Sequence, residues 1–259
     1  MKIRVLASGS KGNCIVVRGG GQLLLVDCGL SCRELTRRMN ECGLSPSEVT
    51  GVFFTHDHSD HCAGVATFHR KHPEVPLYAN GNTADAIGMV TGVEDGWRIF
   101  ETAEPFQFGG LSVETFSIPH DAADPVGYVF GEGESNLFIG TDMGVVTMAA
   151  KEALSRANCA VLESNHDPVL LQTSDRPLSL KQRISSRCGH LSNDQAAEAL
   201  RETNPSRLRV LLLAHLSSQC NADYLARESM ERALDELGRR QAVRLEVLAQ
   251  ERPSECYEF

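Results

Sequence analysis

The run Thr55-His56-Asp57-His58-Ser59-Asp60-His61 constrains this chain more than any other feature. It sets three of the chain's nine histidines within six positions, beside Asp60 and directly after the apolar run Val52-Phe53-Phe54. That run is predicted to be a buried strand, and a helix is predicted from about Ala63 to Lys71. Between those elements an H-x-H-x-D-H spacing turns His56 and His58 the same way, to clamp one metal ion. Asp60 and His61, carried round by the start of the helix, face a second position beside it. Neutral imidazoles supply nitrogen donors and a carboxylate offsets dication charge, so the pattern suits two ions better than a solvated polar loop.

The rest of the chain agrees with a strand-end site. Ile3 to Ala7, Cys14 to Arg18 and Leu23 to Val26 read as a β-meander broken by glycine turns, and a helical pattern from Ser31 stops near Gly43. Leu77 to Ala79 reads as a short strand and Thr83 to Val90 as a helix. Leu111 to Ile118, Val126 to Phe130 and Leu137 to Gly140 read as strands of a second sheet. Helices are predicted over Val146 to Leu154, Asn193 to Glu202 and Ala222 to Leu237, and strands over Ala160 to Leu162, Leu208 to Leu213 and Val243 to Leu248. Two blocks, each opening on strands and continuing with interleaved helices, predict an α/β fold: a four-layer αββα sandwich. No repeat or low-complexity linker divides it, so residues 1–259 are expected to form a single domain.

Further candidate ligands follow later strands. His120 comes after Leu111 to Ile118, Asp142 after Leu137 to Gly140, and His215 after Leu208 to Leu213. Each alone would more often be structural; as a set with the same placement they read as ligands, Asp142 with its two oxygens being the natural bridge.

These elements, in this order, resemble the metallo-β-lactamase superfamily over nearly the whole chain. More narrowly, the sequence resembles its YycJ group, also called WalJ or VicX. The residues that carry this are Ala7-Ser8-Gly9-Ser10-Lys11-Gly12-Asn13, Pro119-His120-Asp121-Ala122-Ala123, Gly140-Thr141-Asp142-Met143-Gly144, Glu163-Ser164-Asn165-His166-Asp167 and Gly189-His190-Leu191-Ser192-Asn193. The resemblance implies a metallo-β-lactamase fold and a metal-dependent DNA exonuclease working from the 5′ end. Splitting a P–O bond needs an acid for the leaving oxygen as well as the hydroxide that two metals would share. Glu163, ending a strand, and His190, preceding a helix capped by Ser192 or Asn193, are the candidates. Their placement is similar to the acid and histidine of the ribonuclease J and ribonuclease Z nucleases. The competing readings are an edge carboxylate and a helix-cap histidine.

On this scheme His56, His58 and His120 hold one ion, Asp60, His61 and His215 the other, and Asp142 both; His190, oriented by Glu163, protonates the departing oxygen. Zinc, manganese and iron all suit such nitrogen and oxygen donors. Lys181, Arg183 and Arg187, with Arg176, make a basic stretch that would line a groove for phosphates or else a solvated helix face. Ser8, Ser10 and Asn13 lie in a glycine-rich hairpin whose backbone N–H groups would hold a phosphate, a plain tight turn being the rival reading. Asn165, His166 and Ser192 extend the expected substrate site, and Asp27 is expected to hydrogen-bond the metal loop.

Composition limits the partners. A hydrophobic content of 42% and a charged content of 23% exclude a disordered chain. A net charge of −9 disfavours indiscriminate adhesion to polyanions, so a nucleic-acid substrate, with DNA favoured, needs a local basic patch. The N-terminus lacks the apolar stretch of a signal peptide and no run is long enough to span a bilayer, which predicts a cytoplasmic protein without membrane partners. The nine cysteines, none spaced C-x-x-C, read as reduced structural thiols; Cys62 follows His61 within reach of a metal, but the histidines and carboxylates already fill the shell. Two other functions share these residues. One is hydrolysis of a small thioester, lactone or cyclic phosphodiester; the other is a metal-binding regulatory protein without turnover. The sequence leaves the oligomeric state open.

Overall fold

The computed structural model describes residues 1–259, which pack as two compact units. The first comprises Met1–Thr115, Ala122–Val126 and Ala249–Glu258; the second comprises Phe116–Asp121, Gly127–Leu248 and Phe259.

The first unit opens with β1 (Lys2–Ala7), β2 (Cys14–Gly19) and β3 (Gln22–Val26), an antiparallel meander as expected. α1 (Cys32–Glu41) follows, capped by the Ser31 hydroxyl, and leads to β4 (Gly51–Phe53) parallel to β3. The helix expected from Ala63 begins earlier and in two pieces: α2 (Ser59–Cys62) and α3 (Val65–Lys71). The break falls at Gly64, where a Cβ would lie 2.0 Å from the Leu30 carbonyl oxygen, so only glycine lets the chain there pack against the Cys28 to Leu30 segment. β5 (Leu77–Ala79), α4 (Gly81–Thr91) and β6 (Trp97–Ile99) continue the parallel series. β7 (Phe106–Phe108) and β8 (Leu111–Ser117) form a hairpin. Phe106 and Phe108 pack on Phe53 and Tyr78, with Phe53 stacked on Tyr78 at 4.4 Å between ring centroids.

The second unit repeats the scheme. β9 (Val126–Glu132) and β10 (Ser135–Gly140) pair antiparallel; β11 (Cys159–Glu163), β12 (Val210–Ala214) and β13 (Arg244–Val247) then add in parallel. The crossovers carry α5 (Met148–Ser155), then α6 (Pro168–Thr173), α7 (Leu178–Ile184) and α8 (Asn193–Thr203), then α9 (Asp223–Glu236). Finally β14 (Tyr257–Glu258) pairs with β1 and closes the first sheet in the order β14-β1-β2-β3-β4-β5-β6.

Each unit has its own core. In the first it runs through Leu6, Val16, Leu25, Leu35, Val52, Phe54, Phe68 and Leu77. In the second it runs through Phe138, Leu154, Leu162, Leu200, Leu211, Leu213 and Met230. Such side chains contribute about 1.5–3 kcal/mol each on full burial, so both sheets are rigid platforms for the residues at their strand ends. All nine cysteines are free thiols; six are buried and Cys42 is partly buried, whereas Cys188 and Cys256 are exposed and are not the structural thiols expected. No helix is long and apolar enough to cross a membrane.

Candidate metal centre

In both units the polar residues gather just beyond the carboxyl ends of parallel strands, where open α/β sheets place their ligands. Three of these residues, Asp27 after β3, Asp142 after β10 and His215 after β12, adopt left-handed backbone with φ of 63°, 56° and 56°. That conformation costs about 1–3 kcal/mol at a non-glycine residue. It turns each chain sharply as it leaves its strand, and no sequence pattern announces it.

In the first unit, Thr55 follows β4 and fixes two imidazoles. Its hydroxyl donates to the Asp27 carboxylate (3.0 and 3.1 Å) and accepts from His56 Nδ1 at 3.0 Å. His61 Nδ1 donates to Asp27 Oδ2 at 2.7 Å, and Asp27 also accepts the Thr55 backbone N–H. Both imidazoles thus carry their proton on Nδ1 and present Nε2 as a lone pair, the tautomer that a metal-binding histidine needs. The His56 ring lies 4.0 Å from that of His61 and 4.7 Å from that of His58 between centroids. Asp27 therefore hydrogen-bonds both Thr55 and His61 of the motif loop, with Thr55 as a relay that the sequence reading missed.

The loop is held by its own backbone as well. Asp60 O accepts from Asn13 N at 2.7 Å and His61 O from Cys28 N at 2.7 Å. A Cβ on Gly29 would lie 1.7 Å from Asp60 O, so glycine is obligatory there. Asp57 Oδ1 accepts from Ala123 N, a further anchor without a sequence signal.

The Ser8 to Asn13 turn differs from the expectation. Its N–H groups at Gly9, Lys11, Gly12 and Asn13 go to Asn13 Oδ1, Gln250 Oε1, Gly9 O and Asp60 O, so these four are spent within the protein rather than offered to a phosphate. Asn13 Nδ2 lies 3.1 Å from Asp60 Oδ2 and 3.0 Å from His61 Nε2. Ser8 is buried and Ser10 exposed. Cys62 turns its thiol to Asp57 O, to which it donates, and burial pushes its pKa up to about 12, against a free thiolate.

The second unit is organised around Glu163, fully buried at the end of β11. Its Oε2 accepts from Met143 N (2.7 Å) and Leu191 N (3.1 Å); its Oε1 accepts from His190 Nδ1 (2.8 Å) and His215 Nδ1 (3.1 Å). Burial would raise this carboxyl, but His190 and the two imidazole hydrogen bonds outweigh it and hold it below the usual range. Reciprocally, burial would lower His190, but the Glu163 carboxylate, with Asp142, holds it above the usual value. His120 Nδ1 donates to Gly189 O at 3.0 Å, leaving Nε2 as its donor atom, and burial lowers its pKa. Asp142 Oδ1 lies 3.2 Å from His215 Nδ1. One potential ligand atom from each of Asp142, Glu163, His190 and His215 falls within 4.8 Å of the others.

The remaining candidates take other places. Asn165 donates to His215 O at 2.8 Å and so holds that strained backbone. Ser192 is the cap of α8: its hydroxyl accepts from Gln195 N, and Asn193 begins the helix. Lys181 donates to Gln172 O and Arg183 pairs with Asp121 Oδ2, so on α7 these two side chains are already engaged. His166 is 3% exposed with no partner on Nδ1, and burial lowers its pKa to about 4.

A β-lactamase superfamily domain model matches residues 23–215. Over 236 residues, 90% of this chain and 89% of the relative, the chain is 38% identical to a Bacillus anthracis protein named exodeoxyribonuclease YycJ. The chain belongs to the metallo-β-lactamase superfamily, in its YycJ group. It is also 35% identical to exodeoxyribonuclease WalJ of Streptococcus pneumoniae, covering 88% of this chain and 86% of that protein. Among solved structures, the metallo-β-lactamase fold protein YhfI of Bacillus subtilis matches with a TM-score of 0.73 at 14% identity, over 98% of this chain and 99% of that one. Zn(2+)-bound PqqB of Methylobacterium extorquens matches with a TM-score of 0.66 at 18% identity, over 98% and 100%. These likenesses bear out the metallo-β-lactamase fold. This YycJ-group chain is accordingly a hydrolase of that fold, and its donors suit a divalent cation. His56, His61 and His120 each have Nδ1 committed to an oxygen, and the residues beside them are carboxylates and further imidazoles.

Proposed function

We propose that the chain is a two-metal phosphodiesterase, a DNA exonuclease acting from the 5′ end. His56, His58 and His120 would hold one divalent ion, Asp60, His61 and His215 the other, and Asp142 both; zinc, manganese and iron fit the donors. When bound, such ions supply a water acidic enough to lose a proton at neutral pH and positive charge against the phosphodiester. Asp27 and Thr55 keep the Nε2 atoms of His56 and His61 unprotonated, and Glu163 fixes the proton on His190 Nδ1. His190 Nε2 is then the atom that delivers a proton to the leaving sugar oxygen.

The observation that carries this reading is the 2.8 Å contact between His190 Nδ1 and Glu163 Oε1. An imidazole backed by a buried carboxylate is a proton donor, and a poor alkoxide leaving group requires one where an activated ester does not. The names of the relatives at 38% and 35% identity support the same substrate class. The test is a panel of end-labelled single- and double-stranded DNA and RNA with each metal, beside a thioester, a lactone and bis(p-nitrophenyl) phosphate. Stepwise release of nucleotides from 5′ DNA ends is expected. His190→Ala should slow DNA cleavage by about 10²–10⁴ while the p-nitrophenyl diester, with its good leaving group, loses far less. Faster turnover of the thioester or lactone than of DNA would refute the proposal, as would equal losses on both phosphodiesters.

A further inference from the structure

We infer that Gln250 is a positioning residue for the Asp60 and His61 pair, acting through the Gly9 to Asn13 turn; the inference rests on reading those two residues as metal ligands. Gln250 lies far along the chain from the histidine motif, on the segment that returns to the first unit. Its side-chain amide closes on both sides of the turn: Oε1 accepts from Lys11 N at 2.8 Å and Nε2 donates to Gly12 O at 2.9 Å. The turn needs such a clamp because Gly9 and Gly12 both sit at φ of 140°, where glycine is free to move and other residues are not. Gly9 is also where a Cβ would meet Gln250 Oε1 at 2.8 Å, so glutamine and glycine are fitted to each other. The backbone of Gln250 is fixed in turn, since buried Arg38 donates from Nη1 to Gln250 O at 2.8 Å and to Leu6 O at 2.7 Å.

The other end of the turn carries Asn13. Gly9 N donates to its Oδ1 at 2.8 Å, and this sets the amide so that Nδ2 donates to Asp60 Oδ2 at 3.1 Å, while His61 Nε2, 3.0 Å from Nδ2, would give its one lone pair to a bound ion instead. Asn13 N also holds Asp60 O. Moving the turn by an ångström breaks these contacts and frees Asp60 to rotate. A continuous hydrogen-bonded path therefore runs from Gln250 to the ligand pair without touching a substrate.

The test is cobalt(II) binding to the full chain, followed by visible absorption and chelator competition, with a melting curve for each variant. Gln250→Ala should weaken one cobalt equivalent by about 10- to 100-fold and change its absorption band, the usual range for losing an outer partner of a ligand. Ser254→Ala removes the hydroxyl that accepts Val5 N elsewhere on the same segment, and should lower Tm while leaving cobalt affinity unchanged. In an Asn13→Ala background Gln250→Ala should cause no further loss of affinity. Wild-type affinity in Gln250→Ala, or full additivity with Asn13→Ala, overturns the inference. If Gln250→Ala does not fold, Gln250→Glu keeps the acceptor for Lys11 N and loses the donor to Gly12 O; weakened cobalt binding supports the clamp and unchanged binding overturns it. A wild-type chain that takes up no cobalt would instead remove the ligand reading itself.

Discussion

Replacing Glu163 by glutamine changes one oxygen to an NH2 group at constant shape, at a carboxylate that accepts four hydrogen bonds. Two of the donors, Met143 N and Leu191 N, are backbone amides and cannot become acceptors. The glutamine must therefore keep its oxygen toward them and turn its NH2 toward His190 and His215. Each imidazole can respond only by moving its proton from Nδ1 to Nε2. A charge-assisted hydrogen bond exceeds a neutral one by about 1 kcal/mol, so the two imidazole exchanges alone cost about 2 kcal/mol of stability. Should neither imidazole change tautomer, both contacts oppose donor to donor and the loss rises to about 3–6 kcal/mol.

The functional loss is larger in the first case. On the proposed ligand set His215 would offer Nε2–H where the ion needs a lone pair, and metal affinity should fall by 10- to 100-fold or more. His190 would lose the backing that directs its proton, for a rate loss of about 10⁴, as when a triad carboxylate becomes an amide. Urea melts give the stability, metal analysis the stoichiometry, and imidazole ¹⁵N shifts the tautomers. Glu163→Gln with wild-type metal content, unchanged ¹⁵N shifts and activity within a few-fold of wild type would refute this reasoning.

Gly29→Ala places a methyl group 1.7 Å from the Asp60 carbonyl oxygen, and the motif loop must move. A loss of more than about 2 kcal/mol together with loss of bound metal is expected in melts and metal analysis, and retention of both would mean that the loop yields freely. The Glu34 carboxyl is held at about 2 by Arg37 and Arg38, below its usual 4.5. Because the folded value is depressed, its contribution is complete above pH 4.5 and disappears as pH falls from 4.5 through 2. Glu34→Gln should therefore flatten the acid limb of stability against pH, by a small amount at this partly exposed site, and an unchanged limb would count against the pairing.

Much of this molecule was legible in the sequence because the candidate ligands and the elements share one rule. The strands expected over Leu77 to Ala79 and Cys14 to Arg18 are present nearly to the residue, and His120, Asp142 and His215 do lie just past strand ends. Periodicity missed β6, β7 and β14, which are no longer than β5 but partly exposed, so no buried apolar run marks them. It missed α6 as well, a six-residue helix whose signals are only its Asp167 cap and Pro168. The glycine turn was misleading for a physical reason. Ser8-Gly9-Ser10-Lys11-Gly12-Asn13 has the composition of a phosphate-binding loop, but its amides at Gly9, Lys11, Gly12 and Asn13 are taken by Asn13 Oδ1, the distant Gln250, Gly9 O and Asp60 O. The tautomer relays through Thr55 and Gly189, and the left-handed backbone at Asp27, Asp142 and His215, are products of three-dimensional packing that no local pattern encodes.

The central claim is a pair of divalent ions held by His56, His58, Asp60, His61, His120, Asp142 and His215. Crystals grown with manganese or zinc and measured at the metal's absorption edge test it most directly. Two anomalous peaks about 3.5–4 Å apart, both within bonding distance of those side chains, are the expected result. A single peak, or peaks lying away from these residues, would contradict the account.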